Sequence, residues 1–593
     1  MTDPVEGDMG KTRTRIGLVA VAAAGALLLA ACGGSSADPG TSGAPTAGPV
    51  AKKGGTIYYL TNADQFQTLD PQVSYTGEDL AFFNSTLFRT LNAYKFSPDA
   101  KEGTSVVPDM ATDTGTASDG GKTWAWTLKD GLTFQDGSPI ACKDVAYGVS
   151  RVFADDVIVG GPTYAIQFLD IPSDADGSSA YKGPYKKTGQ ALFDKAVACS
   201  ADGKTITFHL KLAVPDFNYT VTLLAFSPVP AALDTGEKYS NAPVSSGPYM
   251  VKTYQTGKGG KLLLVRNPKW NQTSDDYRKA LPDTWEVDFG LDTKVIDQRI
   301  IQSTGADSTA IGLSLEPESL PIVFVSPTEA QPQYTGRALS TLDPYVSYWA
   351  FNMVKMPNLK VRQAIAVALD RNALRKNAGG DYAGDFGDGV IKPNMGIDYA
   401  PTGLWDTLLG KPIPPTGDPD YAKQLITESG AGPVTFTFDY AQSPTGDKAA
   451  ALIVSSLARA GITAKPNPIE PGQYYGIVFD PAKSHEMIKA GWGPDWPNAS
   501  TIIPPLFTMN GGFDLSQYDD KAFNAEVLAA STEPDRAKQA TMWQNLNKEA
   551  VAKMLVLPTI FGREQRMAGD KVSSIYIWPA YGSWPYAEMG VIS

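Results

Sequence analysis

Along 205–212 the side chains alternate, with Ile206, Phe208, Leu210 and Leu212 on one face and Thr205, Thr207, His209 and Lys211 on the other. A period of two predicts a half-buried strand, and it places His209 on the solvated side. Residues 122–128 read the same way. Residues 261–266 form a third short strand, entered through the hairpin turn Gly257-Lys258-Gly259-Gly260. Asp130-Gly131 and Asp136-Gly137 mark further turns. The period changes over 358–376, where Val361, Ile365, Ala368, Leu369 and Leu374 recur at helical steps and predict an amphipathic helix. Residues 448–460 and 534–554 carry two more helical patterns. Strands and helices mixed over so long a chain predict a large α/β protein with several lobes, because single cores stop growing near about 250–300 residues.

The first fifty residues follow a different logic. Lys11, Arg13 and Arg15 precede an uncharged run from Ile16 to Ala31, too short for a membrane span of about 20 residues and ordered like a secretory signal. The run ends in Leu29-Ala30-Ala31-Cys32-Gly33, which resembles a bacterial lipobox. That resemblance implies cleavage before Cys32, a diacylglycerol on its thiol, and attachment to the outer face of the cell membrane. Residues 33–50 are rich in Gly, Ser, Ala, Pro and Thr and lack aromatics, so they read as a tether. Export leaves Cys142 and Cys199 as an even pair in an oxidising compartment, which predicts a disulfide; the alternative is two buried free thiols. Bonded, they close a loop of roughly 58 residues, worth about 4 kcal/mol in the chain-entropy model.

Composition narrows the function. The 51 Lys and Arg stand against 63 Asp and Glu, a net charge of −12, and no basic run exceeds two residues, which argues against nucleic acid. Only His209 and His485 are available, so multi-His metal sites are excluded and no metal or cofactor is expected. No Gly-x-Ser-x-Gly nucleophile elbow occurs. A secreted glycosidase, needing only two carboxylates, remains the competing reading.

Four segments in chain order carry a resemblance. The first is Leu128-Lys129-Asp130-Gly131-Leu132-Thr133-Phe134-Gln135-Asp136-Gly137-Ser138-Pro139, with Lys143-Asp144-Val145 and Arg151 after it. The second is Ser246-Gly247-Pro248-Tyr249, then Arg266-Asn267-Pro268-Lys269-Trp270. The third is Phe351-Asn352, then Val361-Arg362-Gln363-Ala364-Ile365 and Leu369-Asp370-Arg371. The fourth is Gly491-Trp492-Gly493-Pro494-Asp495-Trp496-Pro497. Together they resemble the extracellular solute-binding proteins of peptide and nickel ABC transporters.

The resemblance implies a two-lobed periplasmic-binding-protein-like fold, a hinge of crossing strands and a ligand held between the lobes. Lobe I would comprise 51–286 with 563–593, and lobe II 287–562, following a signal peptide at 1–31 and the tether at 32–50. It implies no enzyme activity, a monomer, and partners consisting of a peptide or other small solute and an ABC permease with its cytoplasmic ATPase. In peptide-binding members the acid of the fourth segment pairs with the ligand's α-ammonium, here Asp495, with Trp492, Gly493 and Trp496 around it. Ser74, Tyr75 and Thr76, after Leu69-Asp70-Pro71, and the loop at Ser245 and Ser246 are the candidates from the opposite lobe. Many relatives carry Tyr where this chain has Trp496, which weakens the transfer of peptide specificity. An oligosaccharide or another solute is the alternative cargo.

Overall fold

The computed structural model describes residues 51–509 and 511–592; the signal, the lipobox Cys32 and the tether through Val50 lie outside them. Strand Thr56–Leu60 buries Ile57 and Tyr59 by simple alternation. It pairs in parallel with Thr284–Asp288 in a five-stranded sheet completed by Ala310–Ile311, Lys261–Arg266 and Tyr249–Tyr254. The last two strands form the hairpin expected around the glycine turn. A second, antiparallel sheet holds Thr116–Ser118, Thr123–Thr127, Thr205–His209 and Val197–Cys199. One aromatic core serves both sheets, with Phe82, Trp126, Trp285 and Trp584 fully buried, and residues 568–589 pack into it. Cys142, opening helix Cys142–Arg151, is bonded to Cys199 with Cα atoms 5.8 Å apart, as export predicts.

A six-stranded mixed sheet organises the other core. Its order is Gly384–Phe386, Val556–Met567, Ala338–Phe351, Met487–Trp492, Thr435–Ala441 and Thr463–Ile469. Its two longest strands, Ala338–Phe351 and Val556–Met567, run antiparallel from a small third core at Ala338 and Met567 to the second core at Phe351 and Val556. They are the crossing strands of a two-lobed periplasmic-binding-protein-like fold.

Three sequence expectations change in detail. The helix expected over 358–376 is two helices, Leu359–Ala368 and Arg371–Asn377. Asp370 breaks it because its carboxylate caps the second helix, accepting from the Ala373 N–H at 2.8 Å. The strand expected to reach Leu212 stops at His209, and Leu212 is 52% exposed. Lys211 leaves the ladder to bond the Phe168 carbonyl, which turns Leu212 outward. The helix at 534–554 is Arg536–Ala552, started by an Asp535 cap.

Candidate functional site

The site is assembled by loops that the framework holds from behind. Arg151 donates two bonds to Asp70, at 2.8 and 2.6 Å, and its Nε donates to Asp234 at 3.1 Å. The pair fixes the chain after Pro71 and so delivers Tyr75, whose N–H bonds the Gln67 side chain. Thr76 then caps helix Gly77–Thr86 by accepting from the Asp79 N–H. The Asp70–Arg151 pair thus ties the start of this loop to the end of helix Cys142–Arg151.

The fourth segment follows strand Met487–Trp492. The Trp492 indole N–H donates to the Thr501 carbonyl at 2.6 Å, and its ring lies 4.7 Å from Phe513. Asn498 caps the next turn and donates to Gln539, while the Ala499 N–H bonds Asp398, itself held by Arg536 through two 2.7 Å contacts. Gly493 has to be glycine, because a Cβ there would stand 2.5 Å from the Tyr345 ring. So braced, the loop carries Asp495 to the opposite lobe, where the Tyr164 hydroxyl donates to its Oδ2 and the Tyr75 hydroxyl also bonds it.

Neither partner is a cation. Burial therefore pushes the Asp495 carboxyl up to about 6, the bonds from Tyr164 and Tyr75 only partly opposing it. The same carboxylate, together with burial, drives the Tyr75 phenol well above its ordinary value. A carboxylate in this state has acceptor capacity to spare, and an ammonium group is the chemistry that would use it.

Two contiguous cavities of about 400 and 270 Å3 lie over one face of the six-stranded sheet, sharing Ser347, Ala378 and Ile560. Tyr345, Gly491 and Arg563 line the first, and Trp349, Leu557 and Lys489 the second. Lys489 donates to the Ser347 hydroxyl and sits 5.6 Å from the Trp349 ring centre. No carboxylate pairs with it among the described residues, and burial holds it down to about 7. Arg563 leaves a buried Nε without a partner.

The other expected site residues are placed as follows. Trp496 is 2% exposed and belongs to the aromatic core across the seam, its N–H bonding Asp216 at 2.6 Å. Ser74 is fully buried with an unpartnered hydroxyl. Ser245 and Ser246 spend their hydroxyls on the fold. The Ser245 hydroxyl lies 2.7 and 2.5 Å from the Leu87 and Tyr249 carbonyls, which share its one proton, and Ser246 accepts from the Arg89 N–H at 2.9 Å. The structure thus brings Tyr75 to Asp495 and commits the two serines elsewhere. Tyr164, Asp216 and Lys489 carry no motif. Only Lys489 left a trace in the sequence, as the one charge inside the apolar run 487–492.

The chain matches the family model of bacterial extracellular solute-binding proteins, family 5, over residues 105–514, and it belongs to that family. These are binding proteins, not enzymes. The oligopeptide-binding protein OppA of Bacillus subtilis (strain 168) is 21% identical over 94% of this chain and 95% of its own length. The glutathione-binding protein GsiB of Shigella flexneri serotype 5b (strain 8401) is 24% identical over 72% of this chain and 77% of its own. Among solved structures, the clavulanic acid biosynthesis oligopeptide binding protein 2 superposes with a TM-score of 0.79 at 28% identity, over 92% of this chain and 97% of that one. The Bacillus subtilis AppA complex with a nonapeptide has the same fold, with a TM-score of 0.68 at 15% identity, over 92% of this chain and 100% of that one.

Proposed function

We propose that this protein is the extracytoplasmic receptor of an ABC importer, capturing a peptide between its lobes and passing it to the membrane permease. The observation that carries the reading is Asp495, an acid at the lobe seam with no cation of its own. In the proposal it receives the cargo's α-ammonium, with Trp492 and Gly493 beside it and Tyr75 facing it. Lys489, a half-buried ammonium without an acid, receives a cargo carboxylate, and the apolar cavity around Trp349 and Leu557 takes an adjoining side chain. The names of the relatives support a peptide: OppA and the nonapeptide-bound AppA both concern oligopeptides. A sugar would satisfy neither unpaired charge.

The rest of the proposal concerns the setting. Cys32 carries the lipid anchor, residues 33–50 form the tether, and the protein acts as a monomer. The lobes divide at about 286 and 562. Native mass spectrometry of the protein as purified tests the cargo reading. A bound species with both an amine and a carboxylate is expected, and a cargo without an amine would sink it.

A further inference from the structure

Directly behind the cargo acid lies a second buried acid that cargo binding does not use. Asp216, just before the short helix Phe217–Thr220, is 7% exposed, and among the described residues no cation pairs with it. One of its oxygens, Oδ2, accepts the Trp496 indole N–H and the Ser500 hydroxyl, both at 2.6 Å. Both donors sit on the loop that carries Asp495, whereas Asp216 belongs to the lobe that supplies Tyr75 and Tyr164. The Trp496 ring packs against Tyr164 at 4.8 Å. Beside this contact opens a groove of about 640 Å3, walled by Tyr164, Leu212 and Asp216 from one lobe and by Trp496, Met509 and Leu528 from the other.

The two acids cross the seam in opposite directions. Asp495 reaches into the first lobe and bonds two phenols, and Asp216 draws the Asp495 loop back by two donors. A buried carboxylate in such a place is costly even with Arg536 favouring its charge from a distance, and two charge-assisted hydrogen bonds offset that cost only while the lobes are together. When they part, Asp216, Trp496 and Ser500 all regain water. The contact therefore acts on the open–closed equilibrium, not on the stability of either lobe.

We infer that Asp216 is a positioning residue for cargo capture: by holding Trp496 and Ser500 it seats the loop from Trp492 to Ser500 against the opposite lobe and keeps Asp495 under Tyr75 and Tyr164. This rests on the proposal that Asp495 receives the cargo, but closure can be read without cargo. Small-angle X-ray scattering of the exported chain, stripped of solute and checked empty by native mass spectrometry, gives the distribution of open and closed forms. Asp216→Asn shifts the closed-to-open ratio toward open by roughly tenfold or more, the worth of a hydrogen bond to a charged group. The radius of gyration rises and the melting temperature stays nearly constant. Trp496→Phe, which keeps a ring, and Ser500→Ala, which leaves the indole bond, shift it the same way by less. Scattering from Asp216→Asn that superimposes on wild type overturns the inference. So does a set of variants that melt earlier without opening, because that pattern belongs to a merely structural acid. An amine-free cargo would remove the role of Asp495 and leave this closure result untouched.

Discussion

Charge taken out of water in this molecule is treated in two opposite ways. In the first lobe Asp109 lies between Arg89 and Arg278, with contacts of 2.8 Å to each and every side chain at most 2% exposed. Burial works against its ionisation, yet Arg278 and then Arg89 hold its carboxyl at about 2. At the seam, Asp495 has only phenols and is pushed up to about 6, while Lys489 has only a hydroxyl and is held down to about 7. A charge neutralised within the fold is framework. A charge left with neutral partners keeps part of its desolvation cost, and at Asp495 and Lys489 the proposed cargo supplies the counter-charge.

The comparison breaks most visibly at the framework. Asp109→Ala leaves two buried guanidiniums to share the single carboxylate of Asp275 and is expected to lower stability by about 3–5 kcal/mol, read by chemical denaturation. A loss below about 1 kcal/mol would remove the distinction. Removing the disulfide with Cys142→Ser and Cys199→Ser comes next, at about 2–4 kcal/mol, with cargo affinity unchanged by calorimetry.

The seam should respond in affinity. Asp495→Asn weakens an amine-bearing peptide by about tenfold or more, roughly 1.4 kcal/mol, while the melting temperature barely moves. Unchanged affinity would place Asp495 in the framework class after all.

The smallest effect, and the sharpest, is the pH profile. Below about 6 Asp495 takes up a proton and loses its attraction for an ammonium, and above about 7 Lys489 loses its charge. Affinity for a zwitterionic peptide is expected to peak between these values and fall on both sides, the limbs reporting the coupled site. Asp495→Asn flattens the acid limb and Lys489→Met the alkaline one. The stability of the empty protein runs the other way at Asp495. A raised carboxyl pKa stabilises the fold in acid, and that contribution is lost as pH rises through about 6.

Much of the site was legible one lobe at a time. The Gly-Trp-x-x-Asp run marks Asp495 and Trp492, and the Leu69-Asp70-Pro71 run marks the neighbourhood of Tyr75. Ser245 and Ser246 were misleading because a serine in a turn looks the same whether its hydroxyl faces a cleft or a backbone carbonyl. Tyr164 and Asp216 were invisible, since one opens the short helix Tyr164–Phe168 and the other precedes Phe217–Thr220, and each matters only through a residue some 280 to 330 positions away. Leu212 was misassigned for a related reason: alternation says which face a residue would take, but not where the strand ends.

What the sequence determined by itself is whatever depends on near neighbours in the chain. That covers the strand and helix periods, the turns, the even pair of cysteines, and the ordered signature of a solute-binding protein. Tertiary structure alone decided which charges are paired. Arg151 finds Asp70 and Arg278 finds Asp109, whereas Asp495, Asp216 and Lys489 make their hydrogen bonds with neutral groups, Arg536 reaching Asp216 only from a distance. Pairing is a matter of a few ångströms between distant segments, and at those distances burial multiplies its consequence.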